Sequence, residues 1–433
     1  MRFTPGDVVA ITRPLMRIVI VGLLAVLLAA ETPLAASILY ATAATAGRVD
    51  GFCLRGDGFL APTPRLHVDT AGAQPRRLLI ANDVLYVAEV DRLEAFPIGG
   101  AGTLKTPTRT KATVGLDPRD MALSPDGRTL YATHHSYVSA WALGADGSIP
   151  EEFTSCVQGG TAADYLDVQV ANGLLYVSAD DVPGRIEVYR LAADGSLPQT
   201  GCGAATDKNR PAPPKWPDSV RTRIQNPKAI IVVGDMIYVE ERALRRMIAF
   251  RLQPDGTFCD KKRNRTDKND TFFEDCTGFD PLASRACARL QAKAQAKGKR
   301  RQQCIASQTA EVLQYEGLAL HPNGETLIGA QFFKGRVDSY RLRPDTRLPA
   351  APRSKLPRQP SAESEPDPRM TPVRLAVQGN TVYVAAGELD RVVAYHLTPT
   401  GVLAEKKPFS RTDEQKDSFP NDVAISMLSA ACE

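Results

Sequence analysis

Apolar and polar residues recur in one fixed order along most of this chain. An apolar run carrying a Tyr is followed by a short polar gap, then by an alternating segment that ends near an aromatic, then by a turn. The apolar runs read LLYV at Leu174–Val177, VLYV at Val84–Val87, MIYV at Met236–Val239 and TVYV at Thr381–Val384. Tyr40, Tyr86, Tyr131, Tyr176, Tyr238 and Tyr383 hold one equivalent place, with Ile328 in the remaining copy. The aromatics that close the alternating segments are Phe52, Phe96, Trp141, Tyr189, Phe250, Tyr340 and Tyr395. Self-similarity at a period of roughly 45 residues, all of it strand-like, is the signature of a β-propeller blade. The pattern predicts an all-β, seven-bladed β-propeller of four-stranded blades.

The alternating segments read GRVDGFCL from Gly47, GRIEVYRL from Gly184, GRVDSYRL from Gly335 and DRVVAYHL from Asp390. Such alternation suits a strand with one buried face. The turns after them carry Asp-Gly at Asp57-Gly58, Asp146-Gly147, Asp194-Gly195 and Asp255-Gly256. Gly tolerates positive φ there and Asp bonds its own backbone. The first copy lacks an innermost strand, and Val423–Met427 supplies one after Pro420-Asn421-Asp422. The blade begun by Ile38–Leu60 is therefore expected to be closed by strands from both chain ends, which removes two exposed edges.

The chain has 433 residues, with 32 Gly and 32 Pro, as a turn-rich fold requires. A net charge of +4 gives no strong field toward nucleic acid. At the N-terminus, Arg13 and Arg17 precede an apolar core from Ile18 to Ala30 and then small residues. That core is about 13 residues, short of the roughly 20 a spanning helix needs. Residues 1–36 are read as a secretory signal peptide and 37–433 as the propeller, periplasmic or secreted and monomeric; an uncleaved membrane anchor is the alternative. Eight cysteines agree with export and disulfides. Cys53 with Cys432 would lock the ring. Cys156 with Cys202 would join neighbouring blade exits. Cys259, Cys276, Cys287 and Cys304 fall together in one insertion.

Two stretches break the period. Residues 199–225 are Pro-rich and read as a loop. Residues 260–312 read as a disulfide-held insertion, with a basic helix over 283–303. That helix is either an anionic docking surface or a solvated face.

Propeller sites lie where the inner strands converge. The place before each inner strand holds Arg77, Asp120, Asp167, Ala229, Gly317, Arg374 and Asp422, with Lys228 and Glu316 one residue earlier. After the Tyr-bearing strand a second polar set follows, including Glu89, His134 and Glu240. Carboxylates mixed with arginines predict a cup for a small polar or anionic ligand, or a divalent cation site such as calcium. The same composition also fits a channel lined by mutually paired charges. There is no Gly-rich phosphate loop, GxSxG elbow or paired CxxC.

Ser124–Thr133 reads SPDGRTLYAT and His321–Leu327 reads HPNGETL. With the blade grammar, these segments resemble the seven-bladed lactonase-type propellers, the 6-phosphogluconolactonase-like and muconate-lactonising-like proteins. The resemblance implies the scaffold over nearly all of the chain after residue 36, the two insertions excepted. It also implies Arg-His before an HPNG-like turn and Asn-Glu after the following strand as catalytic groups. This chain holds Tyr315-Glu316 and Ala330-Gln331 in those places. The expectation is therefore a scaffold binding a ligand or a protein at the axial mouth, with lactone hydrolysis, metal-assisted or not, as the alternative.

Overall fold

The computed structural model describes residues 37–110, 117–158, 164–180, 184–198, 220–224, 226–242, 246–252, 256, 315–342, 362–364, 366, 370–415, 418–428 and 432. Residues 199–219, 257–314 and 343–361 lie outside them, and with them the Pro-rich loop up to residue 219, the basic helix, Cys202, Cys259, Cys276, Cys287 and Cys304. The described residues all fall within one compact unit, Ala36–Glu433.

The described strands form antiparallel sheets that follow one another along the chain. Six are four-stranded blades, and the sheet Pro227–Val233, Met236–Glu241 and Arg246–Arg251 has three strands. The expectation of seven four-stranded blades is corrected to six. After Leu252 the chain runs toward the insertion at Asp260, and the stretch that could supply a further strand lies outside the described residues. The first blade orders Val423–Met427, Ser37–Ala43, Arg48–Leu54 and Leu66–Asp69, so both chain ends share one sheet. Tyr40 pairs with Ala424 and Leu39 with Ile425. Cys53 is bonded to Cys432 with a Cα separation of 5.5 Å, across a sequence separation of 379. Cys156 is also disulfide-bonded.

Apolar clusters sit between successive sheets. Tyr131 and Val138 meet Tyr165 and Val177 in one, Tyr176 meets Ile230 and Ile237 in the next, and Leu39 and Phe52 meet Tyr383 and Val392 where last and first blades adjoin. The period has a physical cause in these seams. In five sheets the Tyr of the second strand donates its hydroxyl to the carbonyl of the turn glycine in the next sheet. The pairs are Tyr40 to Gly102 at 2.7 Å, Tyr86 to Gly147 at 3.0 Å, Tyr131 to Gly195 at 2.6 Å, Tyr176 to Gly256 at 2.6 Å and Tyr383 to Gly58 at 2.9 Å. Each buried bond contributes about 0.5–1.5 kcal/mol. Those glycines share a φ of 77–82°, which only Gly adopts without strain. Ile328 cannot donate, and in its sheet Thr326 Oγ1 bonds the Thr400 carbonyl at 2.5 Å instead.

The alternating strands also differ from a simple half-buried pattern. Their polar positions, Asp50, Glu94, Glu187 and Asp338, are buried between sheets. Each is neutralised locally: Arg48 Nε lies 2.8 Å from Asp50, Arg109 Nε 3.1 Å from Glu94, Arg185 Nε 2.5 Å from Glu187 and Arg336 Nε 2.9 Å from Asp338. Tyr165 and Tyr315 donate hydroxyls to Glu187 and Asp338 at 2.5 and 2.6 Å. In three of the four sheets the Arg-x-Asp/Glu spacing places cation and carboxylate two residues apart, on one face of one strand.

Candidate functional site at the axial mouth

The inner strands start irregularly. Register shifts fall between Tyr165 and Val168, Pro227 and Ile230, Tyr315 and Gly317, and Pro372 and Leu375. A bulge adds a residue and re-aims its side chain. Asp167, Lys228, Glu316 and Arg374 are the residues so placed, and the even spacing of the sequence gave no sign of these bulges.

Five of the expected residues meet. Arg374 extends from the last sheet toward the third and fourth, with its guanidinium 3.5 Å from Asp120 Oδ2 and 3.8 Å from Asp167 Oδ2. Arg77 Nε lies 3.5 Å from Asp120 Oδ1. A Cβ on Gly317 would fall 2.9 Å from the Val373 carbonyl oxygen and 3.0 Å from Arg374 Cα. Glycine at that place lets the Arg374 strand pass.

The carboxylates also fasten one sheet to the next. Asp422 accepts from the Leu78 amide at 2.9 Å, Asp120 from Val168 at 3.3 Å, and Asp167 from Ile230 at 2.8 Å. Their own amides are held by hydroxyls: Asp120 by Thr133, Asp167 by Ser178 and Asp422 by Thr42, each at 3.0 Å. Lys228 pairs with Glu316 between the next two sheets. So Arg77, Asp120, Asp167, Arg374 and Asp422 form one cluster, with the Lys228–Glu316 pair beside it.

Burial and the neighbouring Asp120 push the Asp167 carboxyl well above the usual range. Asp120 is held low despite its burial by Arg374, by its hydrogen bond with Asp167 and by Arg77. Three carboxyls stand against two guanidiniums in this cluster. Burial, then Arg374, lowers Arg77, and burial raises Asp422. Burial would lower Arg374, yet Asp120, Asp167 and Asp422 raise it. Burial lowers Lys228 against the pull of Glu316. The side chains of Arg77 and Arg374 keep 14% and 15% of their surface exposed. The Nε of each is buried and makes no hydrogen bond among the described residues, so only the exposed remainder of the two side chains can meet a carboxylate from solvent. The cluster does not fit a divalent cation, because the axial carboxylates already face two guanidiniums. Among the described residues no three His, Cys, Asp or Glu gather as metal ligands.

The second polar set divides. His134 is buried, its Nε2 lies 2.6 Å from Ser139 Oγ and its ring stacks on Tyr137 at 4.3 Å. Glu240 is buried in its sheet. Neither is presented to solvent. A rim that sequence reading missed runs over the second to fourth sheets instead. Asp117 joins Arg76 and Arg119, the latter at 2.7 Å, and Asp164 lies 3.2 Å from the exposed His135. Arg76 and Asp164 come from the blades on either side of Asp117 and Arg119, so no local spacing marks this rim.

Glu89, at the end of a second strand, is fully buried, and burial pushes its carboxyl up to about 8. The folded state therefore keeps a proton that the unfolded state releases. Stability falls as pH rises from the ordinary carboxylate value to about 8, then levels. Glu89→Gln should remove that slope and stabilise the protein at pH 8.5, by up to about 4 kcal/mol. Urea unfolding at pH 4.5 and 8.5 reads the effect, and equal slopes in both proteins would contradict it.

No family model matches the sequence, and no curated protein matches it. Solved structures do match. A periplasmic gluconolactonase from Pseudomonas aeruginosa superposes with a TM-score of 0.61 at 16% identity, over 90% of this chain and 99% of that one. A putative 6-phosphogluconolactonase from Bacteroides fragilis gives 0.59 at 16% identity, over 92% and 99%. A Lactobacillus plantarum protein gives 0.61 at 15% identity, over 90% and 99%. Identities this low carry the architecture and leave the chemistry to the residues. The chain has the lactonase-like β-propeller fold.

Proposed function

We propose that this chain is an exported propeller whose axial mouth binds a small ligand bearing a carboxylate, of the sugar-acid class. The observation that carries the reading is the Arg77–Arg374 pair: two partly exposed arginine side chains at the convergence of the inner strands. The N-terminal segment, the Cys53–Cys432 bond and a fold neighbour named as periplasmic support export. The three-stranded sheet packs against both neighbours, which supports its being the seventh blade of one ring.

Lactone hydrolysis is the second reading. The Asp120–Asp167 pair, whose two carboxyls are shifted in opposite directions, favours it, as do neighbours named as lactonases. A lactone opens to a hydroxy acid, so the same arginines would hold the product. Against it stand Tyr315-Glu316 and Ala330-Gln331, and the use of both aspartates as backbone acceptors.

Titration calorimetry with gluconate, and with glucose as the neutral control, tests the first reading. Gluconate should bind and glucose should not, and Arg77→Ala should weaken gluconate at least about tenfold. No saturable gluconate binding, or equal binding by Arg77→Ala, would sink it. Release of acid from glucono-δ-lactone faster than the spontaneous rate, abolished in Asp120→Asn, would establish the second.

A further inference from the structure

We propose a second ligand site on the flank of the last blade, for an organic anion with an apolar body. A cavity of about 660 Å³ lies among its outer strands and the connection between them. Arg391, Lys406, Lys407 and Arg411 line it, and among the described residues no carboxylate does. The rest of the lining includes Met370, Leu389, Val393, Tyr395, Phe59 and Phe409. Cations over an apolar, partly aromatic floor are complementary to an anionic head on a hydrophobic or aromatic body.

The floor is held in place. Phe409 stacks on His396 with ring centroids 3.5 Å apart and meets Phe59 edge-on at 6.3 Å. Tyr395 donates its hydroxyl to Met370 Sδ at 3.6 Å. Arg391 is fixed by the Leu389 carbonyl and by Glu414, both at 3.2 Å. Rotamers already locked by packing lose less on binding.

Two of these cations, Lys406 and Lys407, lie outside the repeat. Ser410 and Ser155 open equivalent outer strands, each accepting an amide of another sheet through its hydroxyl, from Leu60 and Leu197 respectively. The connection leading into Ser155 carries Glu151-Glu152 before Phe153, whereas the one leading into Ser410 carries Lys406-Lys407 before Phe409. The connection therefore accepts either sign, and Lys406 and Lys407 are not set by the repeat.

Titration calorimetry with naphthalene-2-sulfonate tests the site, with 2-naphthylmethanol and inorganic sulfate as the two half-probes. The sulfonate should bind saturably, and each half-probe at least about tenfold more weakly. Lys406→Glu/Lys407→Glu, on an exposed connection, should cost about tenfold or more. Arg77→Ala should leave sulfonate affinity unchanged, which separates this site from the axial one. The proposal is overturned if the alcohol binds as well as the sulfonate, if the double variant keeps wild-type affinity, or if the wild-type protein shows no saturable binding.

Discussion

Cys432→Ser should lower the stability of the folded protein by about 3–5 kcal/mol, seen as a clear drop in the thermal midpoint. The Cys53–Cys432 bond closes a loop spanning nearly the whole propeller, with a sequence separation of 379. In the chain-entropy account, long closed loops constrain the unfolded ensemble most. The bond also has a local task. Val423–Met427 is the innermost strand of the first blade and is held by its register against Ser37–Ala43. Without the bond this closing strand can fray, which exposes two sheet edges at once. Hydrogen exchange should therefore quicken first at the amides of Val423–Met427 and Ser37–Ala43. Reductant alone also opens the bond at Cys156, so the serine variant isolates the ring closure. Equal thermal midpoints for variant and wild type in the absence of reductant would refute the prediction.

Much of the architecture was legible because the period is enforced by contacts between blades. The equivalent Tyr residues and the Asp-Gly turns were each visible as repeats, but nothing in the sequence marks them as partners. The Tyr131 hydroxyl finds the Gly195 carbonyl 64 positions away, and only the ring supplies that distance. Five of the strand-start residues, Arg77, Asp120, Asp167, Arg374 and Asp422, lie close together because equivalent places in the repeat enter the axis at equivalent points. What the alignment could not give was their direction. Asp167 and Arg374 reach their partners through bulges, and a bulge shifts side chains without altering the hydrophobic pattern that follows. The polar positions of the alternating strands were misleading in the opposite sense. Asp50, Glu187 and Asp338 read as solvent-facing because sequence alternation records polarity, and polarity does not distinguish water from a neighbouring arginine as the partner.

Arg374→Met should be the most damaging substitution at the axial mouth, costing about 3–5 kcal/mol. The methionine keeps much of the side-chain volume, so the loss is electrostatic. In the wild type Arg374 lies 3.5 Å from Asp120 and 3.8 Å from Asp167, and it is the largest influence holding Asp120 ionised against burial. Its removal leaves Asp120, Asp167 and Asp422 to share Arg77. The pH dependence follows from the sign of the shift. A carboxyl whose folded value is depressed adds stability above its unfolded value and loses it as pH falls through the folded value. The gap between wild type and Arg374→Met should thus be widest near pH 7 and narrow below about pH 4, where the carboxyls become protonated in either state. Adding Asp120→Asn to Arg374→Met should recover part of the loss, because the amide can still accept from the Val168 amide without carrying a buried charge. Urea unfolding of the three proteins at pH 7 and pH 4 decides the matter. A deficit that is the same at both pH values and is not reduced by Asp120→Asn would mean that Arg374 acts by filling space, and the charge account of the axial mouth would fall.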